Sequence, residues 1–382
     1  MIDRRLQSAA ATLDDWLQGA ALPLWATSGF NERHGRFEER LDLWGRPVED
    51  VPLRLMVQAR QIHVYAMAAE RGWYAGALER VERAFEAFQR DYHRRDGGDG
   101  WVFSVTRDGA VVDATRDLYG HAFVLLAIAS YTRATGGRSA LVLADETLAF
   151  LDRDMKASAG GYGETLPPGR GPRRQNPHMH LFEALLALWE ASADDRYRDR
   201  ADELLNVFEA HFFQPDAGVV LEYFDDALRP AAGGLGNIVE PGHLYEWCWL
   251  LRAHQRATRR MESASIVDAL YDYADRHGHD DDGLIVDELS LDGSVATPSR
   301  RLWPMTEAIR CNAAEAAAGR PAAAGKAATL AVRMSERFLT SQGGWKDRLD
   351  RAGTPVDRWM PASSLYHVVG AIDALSNFRF EQ

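Results

Sequence analysis

Two cysteines, Cys248 and Cys311, are all that 382 residues contain. A disulfide framework is excluded, neither cysteine has a CxxC neighbour, and this usage predicts a reducing, cytoplasmic setting. No run of 18 apolar residues occurs, so no transmembrane helix is expected. Residues Met1 to Trp16 hold Asp3, Arg4, Arg5, Asp14 and Asp15 without a long apolar core, which predicts neither a secretion signal nor a membrane anchor. Positive charge is in deficit: 44 basic residues stand against 56 acidic ones, a net charge of −12. A nucleic-acid surface would need a basic stripe. The balance here favours a small, neutral ligand. The phosphate-cradling GxxxxGK and zinc-binding HExxH motifs are both missing. His178 and His180 stand two apart, a spacing that does not share one helix face. Neither a resident metal nor a cofactor is expected.

What the chain has is a repeat. Asn176-Pro177-His178-Met179-His180-Leu181-Phe182-Glu183 and Glu240-Pro241-Gly242-His243-Leu244-Tyr245-Glu246 share a His-Leu-aromatic-Glu core, with His180 and His243 lying 63 residues apart. Further anchors fall in step at Arg60-Gln61, His121-Ala122-Phe123, Trp303-Pro304-Met305-Thr306-Glu307 and Tyr366-His367, giving six at a period near sixty. A second series of glycines runs alongside: Gly100-Trp101, Gly161-Tyr162, Gly218-Val219, Gly283-Leu284 and Gly344-Trp345. Each opens a short alternation that reads as a loop or small β-hairpin.

Between anchors the pattern is helical. Ala184 to Trp189 extends one anchor as an apolar helix, and Arg200 to Phe208 is amphipathic. Each period therefore holds an apolar helix, an amphipathic helix and a hairpin. Six such units predict one all-α domain over residues 1–382, an (α/α)6 barrel with six inner and six outer helices. Open solenoids use shorter units, roughly 34 to 47 residues. Pro177, Pro241, Pro304 and Pro361 sit at or just before the inner helices, where no intrahelical N–H bond is lost. The anchors then converge at one mouth of the barrel.

That mouth collects Arg60, Tyr119, His121, Asn176, His178, His180, His243, Glu246, Trp303, Glu307 and His367. A closed core would prefer apolar residues at this depth, so the cluster reads as a site. Glu246 follows His243 by three positions, and on a helix the two share a face. The expectation is that Glu246 fixes the His243 tautomer and supports its cation. Arg60 offers a positive fork for hydroxyls or a developing oxyanion. Trp303, Tyr119 and Trp359 have the shape to stack on a sugar ring.

In these segments the chain resembles the N-acylglucosamine 2-epimerase superfamily, which includes N-acylglucosamine and cellobiose 2-epimerases and bacterial mannose isomerases. The resemblance runs from about Leu53 to Tyr366, and its strength lies in six segments in order at matched spacing. It implies an (α/α)6 barrel and sugar chemistry by proton transfer beside a carbonyl, without metal or nicotinamide. It places the acid/base pair on His243 and His367, supporting roles on Arg60, His180 and Glu246, and sugar contacts on Tyr119, Asn176, Trp303 and Glu307. Trp303-Pro304 and Asn176-Pro177-His178-Met179-His180-Leu181 look like the mannose isomerase branch, whereas Leu302 departs from the paired tryptophans of the epimerases. The expected reaction is interconversion of D-mannose and D-fructose, with D-lyxose and D-xylulose as a smaller pair, on unphosphorylated sugar. A 2-epimerase is the alternative within the family. An inverting glycoside hydrolase built on Glu246 and Glu307, or a non-catalytic carbohydrate-binding barrel, are the alternatives outside it. Monomer and homo-oligomer both remain open.

Overall fold

The computed structural model describes residues 4–378. Twelve long helices alternate between two rings. In chain order they are α1 Arg4–Trp16, α2 Leu55–Arg71, α3 Ala77–Tyr92, α4 Leu118–Thr135, α5 Leu141–Phe150, α6 Asn176–Ser192, α7 Asp195–Val207, α8 Pro241–Thr258, α9 Ala264–His277, α10 Leu302–Ala317, α11 Ala323–Arg337 and α12 Ser364–Phe378. Even-numbered helices form the inner ring, each packed on the next, and α12 returns to α2 to close it. The outer helices lie against them, and α1 packs on α11 and α12. This is the (α/α)6 barrel expected from the period.

Composition decides which ring a helix joins. Eleven successive residues of α8, Pro241 to Leu251, are buried, so this stretch of the helix has no solvent face. By contrast α7 buries Tyr197, Ala201 and Leu204, one stripe at helical spacing. Short antiparallel strand pairs connect the helices, among them Arg173–Arg174 with Tyr223–Phe224, and Arg300–Arg301 with Arg348–Leu349. These pairs link neighbouring units around the mouth.

The glycine series has a structural cause. His121 Nε2 accepts the Trp101 backbone N–H at 3.1 Å, and His178 Nε2 accepts that of Tyr162 at 3.0 Å. On the other side, His121 Nδ1 donates to the Asp117 carbonyl at 2.8 Å and His178 Nδ1 to that of Arg174 at 3.2 Å. Met305 sulfur takes the same place opposite the Ile285 N–H, at 3.3 Å. Gly161 has φ +60°, and a Cβ there would fall 2.5 Å from His178 Nε2. Glycine is needed both for the backbone conformation and for the approach of the imidazole.

Candidate functional site

The anchors occupy the first two turns of the inner helices and meet at one end of the barrel. Proline at the start of α6 and α8 fixes where those turns begin. Two of the expected mouth histidines do not belong to the site. His121 and His178 spend both ring nitrogens on the hairpin contacts described above, and burial lowers each to about 4.

Three histidines remain, each with Nδ1 facing a buried carboxylate. His367 Nδ1 lies 2.7 Å from Glu307 Oε1. His180 Nδ1 lies 3.1 Å from Glu183 Oε2. His243 Nδ1 lies 3.0 Å from Glu222 Oε1, within ion-pair reach but off the line of an ideal hydrogen bond. No protein group among the described residues takes the three Nε2 atoms. With the ring proton assigned to Nδ1, each Nε2 is left for a ligand.

The carboxylates are themselves held. Trp249 Nε1 donates to Glu307 Oε2 at 2.8 Å. Tyr366 Oη donates to Glu183 at 2.5 and 2.6 Å. Gln175 Nε2 donates to Glu222 Oε2 at 3.0 Å. The Arg310 guanidinium stacks 3.4 Å over the Trp249 ring and lies 3.9 Å from Glu183. Against the cost of burial, His180, Arg310 and Tyr366 hold Glu183 down to about 2.

Two expectations are corrected by this geometry. Glu246 does not support His243; that imidazole faces Glu222, which comes from the preceding hairpin. Glu246 points instead towards the inner cluster, 3.8 Å from His180 Nδ1, with both oxygens buried and unpartnered. Burial, then Glu307 and Glu183, push it well above the ordinary carboxylate range and favour its neutral form. Glu307 is not placed for sugar contact: it is fully buried, with one oxygen on His367 and the other on Trp249. An oxygen each from Glu246 and Glu307 also lie within 4.8 Å. An inverting glycosidase separates its carboxyl groups by about 6.5–9.5 Å to admit water.

Arg60 donates to Tyr119 Oη at 2.6 Å and to the Ser363 carbonyl at 3.3 Å, and its guanidinium lies over the Phe123 ring at 4.1 Å. Trp303 packs near both histidines of the expected pair, its ring 4.8 Å from His243 and 5.7 Å from His367 between centroids. Gly242 permits this, since a Cβ there would meet the Trp303 ring at 2.5 Å. Asn176 starts α6 with Oδ1 buried and unpartnered. Trp359 lies on the strand paired with Arg40–Asp42, 38% exposed, beneath Arg40.

Among the described residues, three sets of histidine and glutamate atoms fall within 4.8 Å of one another: His180, Glu183 and Glu246; Glu222, Glu240 and His243; Glu246, Glu307 and His367. Each set is one imidazole–carboxylate pair with a neighbouring glutamate, so ion pairing already accounts for the closeness. Glu183, Glu222, Arg310 and Tyr366 carry weight here that the sequence did not assign. Glu222 left a trace, as an acidic residue between Leu221 and Tyr223 in an apolar run.

Comparison with known proteins follows the same lines. A family model described as N-acylglucosamine 2-epimerase (GlcNAc 2-epimerase) matches residues 35–371. A mannose-6-phosphate isomerase from Rhizobium meliloti (strain 1021) is 38% identical, over 96% of this chain and 97% of that protein. A D-mannose isomerase from Thermobifida fusca is 29% identical, over 96% and 95%. The solved cellobiose 2-epimerase from Bacillus thermoamylovorans B4167 superposes with a TM-score of 0.88 at 16% identity, covering 97% of this chain and 100% of that one.

Proposed function

The chain belongs to the N-acylglucosamine 2-epimerase family, and from that membership and the site geometry we propose that it is an aldose–ketose isomerase interconverting D-mannose and D-fructose, with D-lyxose and D-xylulose as a smaller pair. The observation that carries the reading is the pair of imidazoles packed near Trp303, each with Nδ1 facing a buried carboxylate and Nε2 left for a ligand. Burial, then Arg60 and His180, hold His367 well below the ordinary imidazole range. Burial also opposes charge on His243, but Glu222 and Glu240 outweigh it and raise that group. These opposite directions favour the base form of His367 and the acid form of His243.

In the proposed reaction the sugar ring first opens, with His243 as acid. His367 Nε2 then takes the C2 proton, giving a cis-enediolate; the O2 proton passes to O1, giving the cis-enediol's other anion, and the proton on His367 returns to C1 as C2=O2 forms, completing the ketose. Arg60 stabilises the oxygen that gains charge, and His180, neutral with its proton on Nδ1, accepts a hydrogen bond from a sugar hydroxyl at Nε2. Glu246, pushed towards its neutral form, lies behind His180 in the buried cluster and does not touch the sugar. Tyr119, Asn176 and Trp303 form the walls that hold the ring. The scheme requires neither metal nor cofactor.

The sugar is proposed to be unphosphorylated. Three arginines just before inner helices already have carboxylate partners: Arg54 with Glu39 at 2.5 Å, Arg174 with Glu164 at 2.8 Å, and Arg301 with Asp287 at 3.0 Å. A phosphate dianion would have to compete with each of these. Mannose 6-phosphate remains the second reading because a relative carries that name.

The test is NMR of the purified, chelator-treated protein with D-mannose in deuterated water. Fructose carrying deuterium at the transfer site supports the isomerase. Glucose deuterated at C2 would make the protein a 2-epimerase. Conversion of mannose 6-phosphate alone would overturn the unphosphorylated reading. Sugar binding without any turnover would leave a carbohydrate-binding barrel.

A further inference from the structure

We propose that Glu222, on the hairpin before α8, is the positioning residue that orients His243 and keeps it in its acid form. The proposal rests on the isomerase reading and adds a residue to it. Glu222 belongs to neither the helix of His243 nor any of the six repeat anchors. Its carboxylate Oε1 and His243 Nδ1 are 3.0 Å apart, and among the described residues neither atom has another hydrogen-bond partner. Catalytic hydrogen bonds in unliganded sites are commonly misaligned and tighten once substrate is bound.

The rest of the carboxylate is fixed by a chain of donors with only one possible direction. An indole can only donate. Trp247 Nε1 donates to Gln175 Oε1 at 2.7 Å, which turns the Gln175 amide so that its Nε2 donates to Glu222 Oε2 at 3.0 Å. The backbone is pinned as well: Glu222 N–H donates to the Ile238 carbonyl at 3.1 Å, and Gln175 N–H to the Glu222 carbonyl at 3.3 Å. Gln175 is fully buried and Glu222 is 3% exposed. His367 has the same construction, with Glu307 on Nδ1 and the indole of Trp249 on the second oxygen. Helix α8 supplies both indoles, two residues apart, and so braces both imidazole–carboxylate pairs.

Glu240 is the other carboxylate near His243, with Oε2 3.9 Å from Nδ1. The same oxygen accepts from the Arg301 guanidinium at 2.9 Å, so a cation already offsets its charge. The charged and titratable groups facing His243 are Glu222 from the hairpin, Glu240 from the start of its own helix, Arg301 from the strand before α10, and His180 from α6. Of these, Glu222 is the nearest carboxylate and the one without a cation of its own.

The experiment combines NMR of ring-15N-labelled histidine with pH–rate profiles, on the native protein and on Glu222→Gln. The His243 signal is assigned by its loss in His243→Asn. In the native protein His243 is expected to stay protonated to higher pH than His367. Should His243 lose its proton first, the proposal is overturned without any Glu222 variant being needed. In Glu222→Gln the His243 titration and the alkaline limb of kcat are expected to move together to lower pH. The expected fall in kcat is roughly 10²-fold, with a smaller change in KM. Partial recovery of both readouts is expected in Glu222→Asp. A His243 titration unmoved in Glu222→Gln overturns the proposal, as does a shifted titration with an unmoved rate profile. The histidine signals are read without substrate, so a native protein that converts no sugar would count against the isomerase reading alone.

Discussion

Burial by itself strips charge from an imidazole, and at His121, His178, His180 and His367 it prevails. His243 is the exception, because two carboxylates face it. This difference sets the sign of the pH dependence. A base must be neutral, so activity should fall at low pH as His367 takes up a proton. An acid must be protonated, so activity should fall at high pH as His243 loses one. A bell-shaped kcat profile with a broad top is the expected result; a single limb would remove one histidine from the mechanism. His367→Ala and His243→Ala should each lower kcat/KM at least ~10²-fold, and near-native turnover in either would exclude that residue. Glu246 behaves differently. Its carboxyl is pushed towards the neutral form, by burial first, and glutamine imitates a neutral carboxylic acid. Glu246→Gln should therefore leave the melting temperature unchanged or raised, and the His243 limb unmoved. A marked drop in melting temperature would mean that Glu246 is charged and paired.

Among the connecting elements, the hairpins matter as much as the helices. A histidine on the inner helix closes the hairpin of the preceding loop by accepting one backbone N–H, and glycine lets it come near. Replacing His178 with leucine would leave the Tyr162 N–H buried without an acceptor, a loss of about 1–3 kcal/mol. Gly161→Ala should destabilise by a similar amount or more, since it adds a left-handed backbone conformation to a Cβ contact at 2.5 Å. Urea unfolding midpoints check both substitutions, and an unchanged midpoint in either would mean that the hairpin adjusts freely. These contacts explain why two histidines of the six-anchor pattern looked like site residues. Sequence places them at the right depth, but hydrogen bonding to the loop consumes them.

Ring closure belongs to the whole molecule. Trp25, in the segment following α1, stacks on Trp345 of the last unit at 5.3 Å, and Trp16 Nε1 donates to the Thr340 carbonyl at 2.7 Å. Both stacked indoles are fully buried. Arg71 and Asp373 join the same two ends through an ion pair at 2.8 Å, with the arginine 45% exposed. Trp25→Ala should cost about 3–5 kcal/mol, whereas Arg71→Ala should cost less than about 1 kcal/mol. Thermal or urea unfolding of the two variants tests this, and equal losses would mean that the seam is electrostatic rather than packed.

A period near sixty, with proline at the inner helix starts and an apolar helix alternating with an amphipathic one, was enough to determine the barrel. Those features act locally, through helix propensity and the face each helix must bury. The same local spacing brought His180, His243, Arg60 and His367 to one mouth. It could not say which carboxylate meets which imidazole. Glu246 shares a face with His243 in sequence, yet it lies towards His180 and Glu307, and Glu222 takes its place from the connection before α8. Glu307 likewise looks like a ligand contact until the neighbouring helices supply His367 and Trp249 to both of its oxygens. Buried ion pairs are fixed by contacts between segments far apart in sequence, and only the closed ring brings those segments together.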